Sequence, residues 1–287
     1  MVNQNLEHNH VVAHTDTSTP QPAGTTAGGV LTALYGIAGY LIFLVAFLYT
    51  IGFVTDADFM VGGVHIVGKS IDRGGLGDGT LTATAVIVDV ALLALFAVQH
   101  SVMARAGFKR WWTRIVPASA ERSTYVHASN ICLIALLVAW HPITDDVWRV
   151  TAQPWRALLI AVGLAGWVIA LLSTFLIDHF DLFGLRQVFA RLRGQRPAEH
   201  AFATPLFYRV VRHPLYLGFL LAFWGTPRMT VGHLIFAVAT TGYILIAARF
   251  FEERDLVRIF GQQYRDYQGR VPMLIPGMRR RSGRTAA

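Results

Sequence analysis

The sequence predicts an all-α, polytopic membrane protein, and three observations predict it. Six apolar runs approach or exceed the length of a membrane-spanning helix. Hydrophobic residues make up 54% of the 287-residue chain and charged ones only 15%, against about 25% charged in an ordinary soluble domain. Lys and Arg concentrate in alternate loops. The same composition excludes disorder throughout and collagen-like structure.

The first run, about Val30 to Val54, carries no charge and exceeds the roughly 20 residues that cross the hydrocarbon core. It does not read as a secretory signal, being too long and preceded by no Lys or Arg. Residues 1–29, rich in Asn, Thr, Pro, Gly and His, read as a disordered polar tail. His8, His10 and His14 belong to that tail composition, and no metal site is expected from them. The second run spans about Leu81 to Val98, interrupted only by Asp89; the third, Tyr125 to Trp140; the fourth, Trp155 to Ile177, with Arg156 at its start. The fifth, Pro205 to Trp224, breaks at Gly225-Thr226-Pro227-Arg228 and returns as the sixth, Val231 to Phe251. The expectation is about six transmembrane helices, the last two forming a hairpin. They lie in one membrane domain over 30–276, followed by a basic tail over 277–287.

Charge supports this order. Between spans the Lys and Arg counts are two over 55–80, five over 99–124, one over 141–154 and six over 178–213; eight follow Phe251. Basic loops stay in the cytoplasm, which puts both termini there, in a bacterial cytoplasmic membrane. Topology and lipid headgroups thus account for the net charge of +8, and nucleic acid is not expected as a partner. The single cysteine, Cys132, excludes an intrachain disulfide framework and a Cys-paired metal site; among Ile131 and Leu133 it reads as a small hydrophobe. Gly75-Leu76-Gly77-Asp78-Gly79 has the spacing of a nucleotide-binding turn but lacks the strand and helix that such a turn requires, so a plain turn is expected.

The C-terminal third carries the chemistry. Arg212-His213-Pro214-Leu215-Tyr216-Leu217-Gly218 places polar side chains at a kinked helix start, since Pro214 removes a donor and steers His213 out of helical geometry. Arg249-Phe250-Phe251-Glu252-Glu253 ends the last span with adjacent carboxylates, costly at a membrane boundary unless paired or hydrated. These residues alone leave two readings open: a salt bridge from Arg212 or Arg249 to Glu252 or Glu253 that closes the hairpin, or a functional site. A further motif follows, running from Phe260-Gly261 through Tyr264, Tyr267 and Val271-Pro272 to Ile275-Pro276.

The order R-H-P-x-Y-x-G, R-F-F-E-E, F-G-x-x-Y-x-x-Y-x-x-x-V-P-x-x-I-P resembles the membrane methyltransferases of the isoprenylcysteine carboxyl methyltransferase type, to which the phospholipid methyltransferases are related. This resemblance covers about Arg209 to Pro276. Upstream, Gln99-His100-Ser101 through Arg105, Glu121 through Val126, and Asp178-His179-Phe180-Asp181 through Gln187 are similar to one bacterial branch, the methanethiol S-methyltransferases, which make dimethyl sulfide. Denitrification-associated members of the superfamily share the Gln-His-Ser region. The resemblance implies S-adenosylmethionine held between the final hairpin and the C-terminal segment, within about 205–276. Arg212, His213, Pro214, Tyr216 and Gly218 would line it, Glu252 and Glu253 would face its ammonium or ribose hydroxyls, and Tyr264 and Tyr267 would close the pocket. Carboxylates suit the ammonium and aromatic faces suit a sulfonium.

For methyl transfer to a small thiol, a thiolate must form, and a cation or a base favours it. Arg249 is the candidate cation; His179 and His100 are the candidate bases, with Asp178 or Asp181 orienting the imidazole. Competing readings are a methyltransferase for a lipid or carboxyl acceptor, a non-catalytic membrane protein of the same fold, and a transporter, for which no repeated halves are evident. The sequence leaves the oligomeric state open.

Overall fold

The computed structural model describes residues 27–57, 60–61, 64–65, 67–74, 82–195 and 202–277. The polar tail up to residue 26, the glycine-rich turn at 75–79 and the basic tail beyond 277 lie outside the described residues. Helix α1 runs Ala27–Val54 and so takes up the last three residues of the expected tail. A two-residue ladder, β1 (Met60–Val61) with β2 (Val64–His65), follows. Then come α2 (Thr82–Met103), α3 (Ala106–Trp112), α4 (Ala118–Ala139), strand β3 (Asp146–Arg149) and α5 (Trp155–Ile177). Two short helices, α6 (His179–Leu182) and α7 (Leu185–Leu192), precede a 3₁₀ turn at Leu206–Arg209. The chain ends in α8 (Pro214–Trp224), β4 (Arg228–Thr230), α9 (Val231–Ile246), a π-helical turn (Ala247–Glu252) and α10 (Glu253–Arg270).

The fold is all-α and polytopic. Among the described residues, five helices are long and apolar enough to cross a membrane: α1, α2, α4, α5 and the continuous run that begins with α9. The expected fifth span is corrected. Instead of a helix over Pro205–Trp224 there is an 11-residue α8, about 16 Å long and about half the hydrocarbon thickness. The cause is local: Pro214 occupies the first helical turn and His213 has φ −124°, ψ 67°, so the helix starts only after His213. The last span is also longer than expected, because the backbone winds on past Phe251 through the π turn into α10. Outward faces of the long helices are apolar and exposed, as at Leu31, Val45, Leu48, Ile87 and Ile131. In a lipid-solvated protein no polar side chain is needed there.

Short α8 is held by close packing on α5. A Cβ added to Gly218 would lie 2.6 Å from Ala170 N and 2.7 Å from Gly166 O. Only hydrogen at position 218 allows the two backbones to approach this closely, the small-residue device of membrane helix pairs. Helices α1 and α4 run side by side in one direction: His127 Nε2 donates to Tyr35 O (3.0 Å) and Asn130 Nδ2 to Gly39 O (2.9 Å).

One end of the bundle is filled. Phe53, Ile71, Trp140 and Met229 are fully buried there, and the Trp140 indole donates to Ile71 O at 3.2 Å. Strands β3 and β4 pair antiparallel, Asp146 opposite Thr230. Thr230 Oγ1 donates to Asp72 at 2.6 Å, and Arg228 bridges Asp146 (2.8 Å) and Asp72 (3.6 Å). Burial raises the Asp72 pKa, against the hydrogen bond from Thr230. The opposite end gathers the last turns of α2 and α5, the first turns of α4 and α8 and the end of α9. It is not filled.

Candidate active site

The hairpin motif folds around one carboxylate. Arg212 donates to Glu253 through Nε (2.8 Å, to Oε1) and Nη2 (3.0 Å, to Oε2). The Tyr264 hydroxyl donates to Oε1 at 2.9 Å, and Gln268 Nε2 donates to Oε2. The His213 ring lies between the two glutamates, Nδ1 3.1 Å from Glu252 Oε2 and Nε2 2.8 Å from Glu253 Oε1. Both nitrogens meet acceptor-only groups, so the ring is held as the doubly protonated cation. Burial by itself would lower its pKa, but the hydrogen bonds to Glu252 and Glu253 outweigh it and push the pKa up to about 8. The segment after α10 straps this assembly down: Arg212 N donates to Pro272 O (2.9 Å) and His213 N to Met273 O (3.1 Å). The V-P-x-x-I-P motif thus supplies carbonyls to the R-H of the hairpin.

The two glutamates then part. Glu253 is 3% exposed and spent on its partners, whereas the Glu252 side chain is 45% exposed. Glu252 opens into a cavity of about 490 Å³, within the roughly 300–1,000 Å³ of small-molecule sites. One wall is His213, Tyr216 and Glu252, with Tyr264 and Tyr267 of α10. Tyr216 donates its hydroxyl to Glu252 Oε1. Another wall comes from α2 and α4: His100, Ser101, Arg105 and Tyr125. Apolar residues complete it, including Leu176, Ile177 and Leu182, and the Phe202 ring packs 5.9 Å from Tyr264 and 5.4 Å from Tyr267 between centroids.

Of the residues singled out in the sequence, Arg212, His213, Tyr216, Glu252, Tyr264, Tyr267 and His100 line this cavity. Five others do not. Pro214 is buried as the first residue of α8, and Gly218 faces α5; both shape the hairpin from behind. Glu253 backs the wall. Arg249 is exposed: the cavity face of that helix is Tyr243, Ala247 and Phe251, spaced four residues apart, and Arg249 projects from another side. His179 is buried off the wall, with Nδ1 2.8 Å from Thr174 Oγ1 and Nε2 2.8 Å from Tyr40 OH. Those two residues orient its ring, where the sequence suggested Asp178 or Asp181. Burial holds its pKa below the ordinary imidazole value, against the pull of Asp178. Asp178 is extended, opens α6 by accepting from Asp181 N (3.1 Å), and pairs with Arg186 at 2.9 Å. It stands between two helices, closing α5 through its N–H to Thr174 O and capping the N-terminus of α6 with its side chain, a position where a carboxylate is favourable.

Cavity residues with no assigned role in the sequence include Arg105, Tyr125 and Tyr243. Arg105 holds its guanidinium carbon 4.1 Å from the Phe251 ring centre and reaches Asp255 at 3.5 Å. Tyr125 and Tyr243 bring phenols from α4 and α9. Arg105 and Tyr125 do stand in the upstream motifs quoted above, which was the available signal; Tyr243 had none.

Residues 157–263 match the phospholipid methyltransferase family. The chain is 52% identical over 244 residues to methanethiol S-methyltransferase 2 of Bradyrhizobium diazoefficiens, covering 85% of this chain and 89% of that protein. It is 50% identical over 246 residues to the methanethiol S-methyltransferase of Mycobacterium tuberculosis, covering 86% and 96%. A weaker likeness, 29% over 170 residues, links it to nurim of Xenopus laevis, covering 56% of this chain and 59% of that protein.

Proposed function

The chain belongs to the methanethiol S-methyltransferase family, and on that premise we propose that it transfers a methyl group from S-adenosylmethionine to methanethiol, giving dimethyl sulfide. The observation that carries the reading is Glu252: a carboxylate 45% exposed in a cavity otherwise walled largely by aromatic and apolar side chains. Glu252 shares the His213 cation with Glu253, and its exposed side suits a cationic ligand. S-adenosylmethionine carries an ammonium and a sulfonium, and the donor set fits it: a carboxylate for the first, phenyl and phenol faces for the second. When bound, it supplies an electrophilic methyl carbon on positively charged sulfur.

In this reading Glu252, His213 and Tyr216 hold the methyl donor, and Tyr264 and Tyr267 close over it. Glu253 and Arg212 act through His213: they fix the ring that in turn fixes Glu252. Pro214 and Gly218 set the depth of α8. His100 serves the thiol side. Arg249 and the pair His179–Asp178, being off the cavity wall, are assigned no contact with the reacting atoms. The thiol partner is small and apolar and reaches a site at the membrane from the bilayer. The basic segments 99–124 and 178–213 adjoin the cavity end, so by the positive-inside rule that end and both termini face the cytoplasm of a bacterial cytoplasmic membrane.

The test is direct. Membranes carrying the protein, supplied with S-adenosylmethionine and methanethiol, should release dimethyl sulfide into the headspace, and a Glu252→Gln variant should lose cofactor affinity at least about tenfold. No dimethyl sulfide despite demonstrated cofactor binding would move the assignment to a lipid or carboxyl acceptor; unchanged cofactor affinity in Glu252→Gln would remove Glu252 from the site.

A further inference from the structure

We propose that Tyr125 is the residue that takes the proton from the thiol, and that His100 behind it receives Tyr125's own proton. The inference rests on the reading above and adds which residue meets the acceptor substrate.

Location comes first. The cavity has one wall on the hairpin and α10 and another on α2 and α4. The stretch shared with the phospholipid methyltransferase family, 157–263, contains His213, Tyr216 and Glu252 and stops short of α2 and α4. What is shared with a family named for a different acceptor belongs to the methyl donor. Chemistry particular to the thiol is then to be sought on the remaining wall, where the ionisable groups are His100, Arg105 and Tyr125.

Geometry selects the pair. The Tyr125 hydroxyl is 2.7 Å from His100 Nε2, and His100 Nδ1 is 3.3 Å from Ser129 Oγ. An O–H donor gives contacts near 2.7–2.8 Å, whereas N–H donors favour about 2.9–3.0 Å, and a phenol is a far stronger acid than a neutral imidazole. We assign the short contact as Tyr125 O–H donating to Nε2, with Nδ1–H turned to Ser129. The Phe96 ring stacks on the imidazole at 5.3 Å and 18° and fixes its plane. With its proton committed to Nε2, Tyr125 presents oxygen lone pairs to the cavity. The other phenols on the wall lack the imidazole: Tyr264 donates to Glu253, and Tyr208 and Tyr267 donate to the backbone carbonyls of Ser173 and Tyr208. Tyr216 donates to Glu252, and Tyr243 receives a hydrogen bond from Ser101 at 3.3 Å; neither is backed by an imidazole.

The proton then has a balanced path. The thiol S–H proton moves to Tyr125 Oη as the Tyr125 proton moves to His100 Nε2, leaving a thiolate and an imidazolium. The thiolate's electron pair forms the new S–C bond while the C–S bond of the donor breaks onto its own sulfur. Afterwards the imidazolium returns its proton through Tyr125, and one proton leaves per methyl transferred. The charged group facing this pair from α4 is Arg122, whose guanidinium carbon is 5.4 Å from the Tyr125 ring centre; from the π turn it is Glu252.

The test compares methanethiol with methaneselenol, which differs by one atom and is already ionised at neutral pH. Tyr125→Phe and His100→Asn are assayed on both at saturating S-adenosylmethionine, with cofactor affinity measured separately. We expect kcat on methanethiol to fall at least about 100-fold, the rate on methaneselenol to stay within about threefold, and cofactor affinity to be unchanged. Equal loss on both acceptors would mean a structural role and overturn the proposal, as would full retention on methanethiol. A second readout needs no cofactor. In 15N-histidine spectra, the resonance lost in His100→Asn should carry the Nδ1–H tautomer in the wild type; an Nε2–H tautomer would overturn the proposal as well. Failure of the wild type to make dimethyl sulfide would instead sink the underlying function.

Discussion

Asp89 at the filled end of the bundle and Glu253 at the cavity end are both buried carboxylates, and the two are treated in opposite ways. At the filled end Asp89 is 0% exposed; its Oδ1 accepts from His141 N at 2.8 Å and its Oδ2 has no hydrogen-bond partner among the described residues. At the cavity end Glu253 is 3% exposed and receives hydrogen bonds from Arg212, His213, Tyr264 and Gln268. Burial alone therefore does not mark the site. What marks it is the outlay of donors: four side chains from the hairpin and α10 are committed to a carboxylate that does not itself face the cavity, and one of them, His213, also holds the carboxylate that does. Asp89 organises backbone, fixing the turn after α4. Glu253 organises side chains.

Cutting the more heavily engaged carboxylate should have the largest effect. Glu253→Leu would leave a guanidinium 11% exposed and an imidazole without their main acceptor. Removing one partner of a buried charge pair costs about 3–5 kcal/mol. Thermal unfolding of the cofactor-free protein in detergent should show a loss of that order, and a loss below about 1 kcal/mol would break the comparison at its root.

That contrast was only half legible in the sequence. The spans were readable because lipid forbids charge over some 20 residues, and the positions of α1, α2 and α5 followed. The start of α4 was missed: Ala118 to Thr124 is polar, but it lies against protein, with Ser123 fully buried and Arg122 Nε donating to Leu182 O at 2.9 Å. Local hydropathy does not report such burial. At the site, adjacency along the chain served well where the motif is local. Arg212 with His213, and Glu252 with Glu253, come together as the pattern suggested. It misled at His179, whose ring partner Tyr40 is 139 residues away, and it left Asp89 as a mere interruption in an apolar run.

A second, smaller effect separates the two ends by pH. The folded-state pKa of His213 is raised to about 8, above the roughly 6.5 of an unfolded chain. Its cation therefore contributes fully below about pH 6.5, and that contribution, about 2 kcal/mol, is lost as pH rises through about 8. The unfolding temperature of the wild type should fall over this window, and that of His213→Gln should be flatter. A parallel decline in both would place the titration elsewhere and separate His213 from the stability of the cavity end.

The smallest effect belongs to Asp89, and its smallness is what makes it informative. In Asp89→Asn the amide oxygen keeps the acceptor role toward His141 N, and an NH₂ replaces the oxygen that has no hydrogen-bond partner. His141 Nδ1 lies 3.7 Å from Oδ1, the oxygen whose role the amide keeps, so the substitution adds no further atom without a partner among the described residues. The substitution exchanges a buried charge for a neutral group of the same shape, and such an exchange is close to neutral when hydrogen bonding is preserved. Stability should change by less than about 1 kcal/mol, with dimethyl sulfide formation within twofold of wild type. A loss near the 3–5 kcal/mol range would show that Asp89 is held as an ion by the Lys69 ammonium, which donates close by to Val138 O. Asp89 would then be held by a cation as Glu253 is, and the difference between the two carboxylates would lie in the cavity alone.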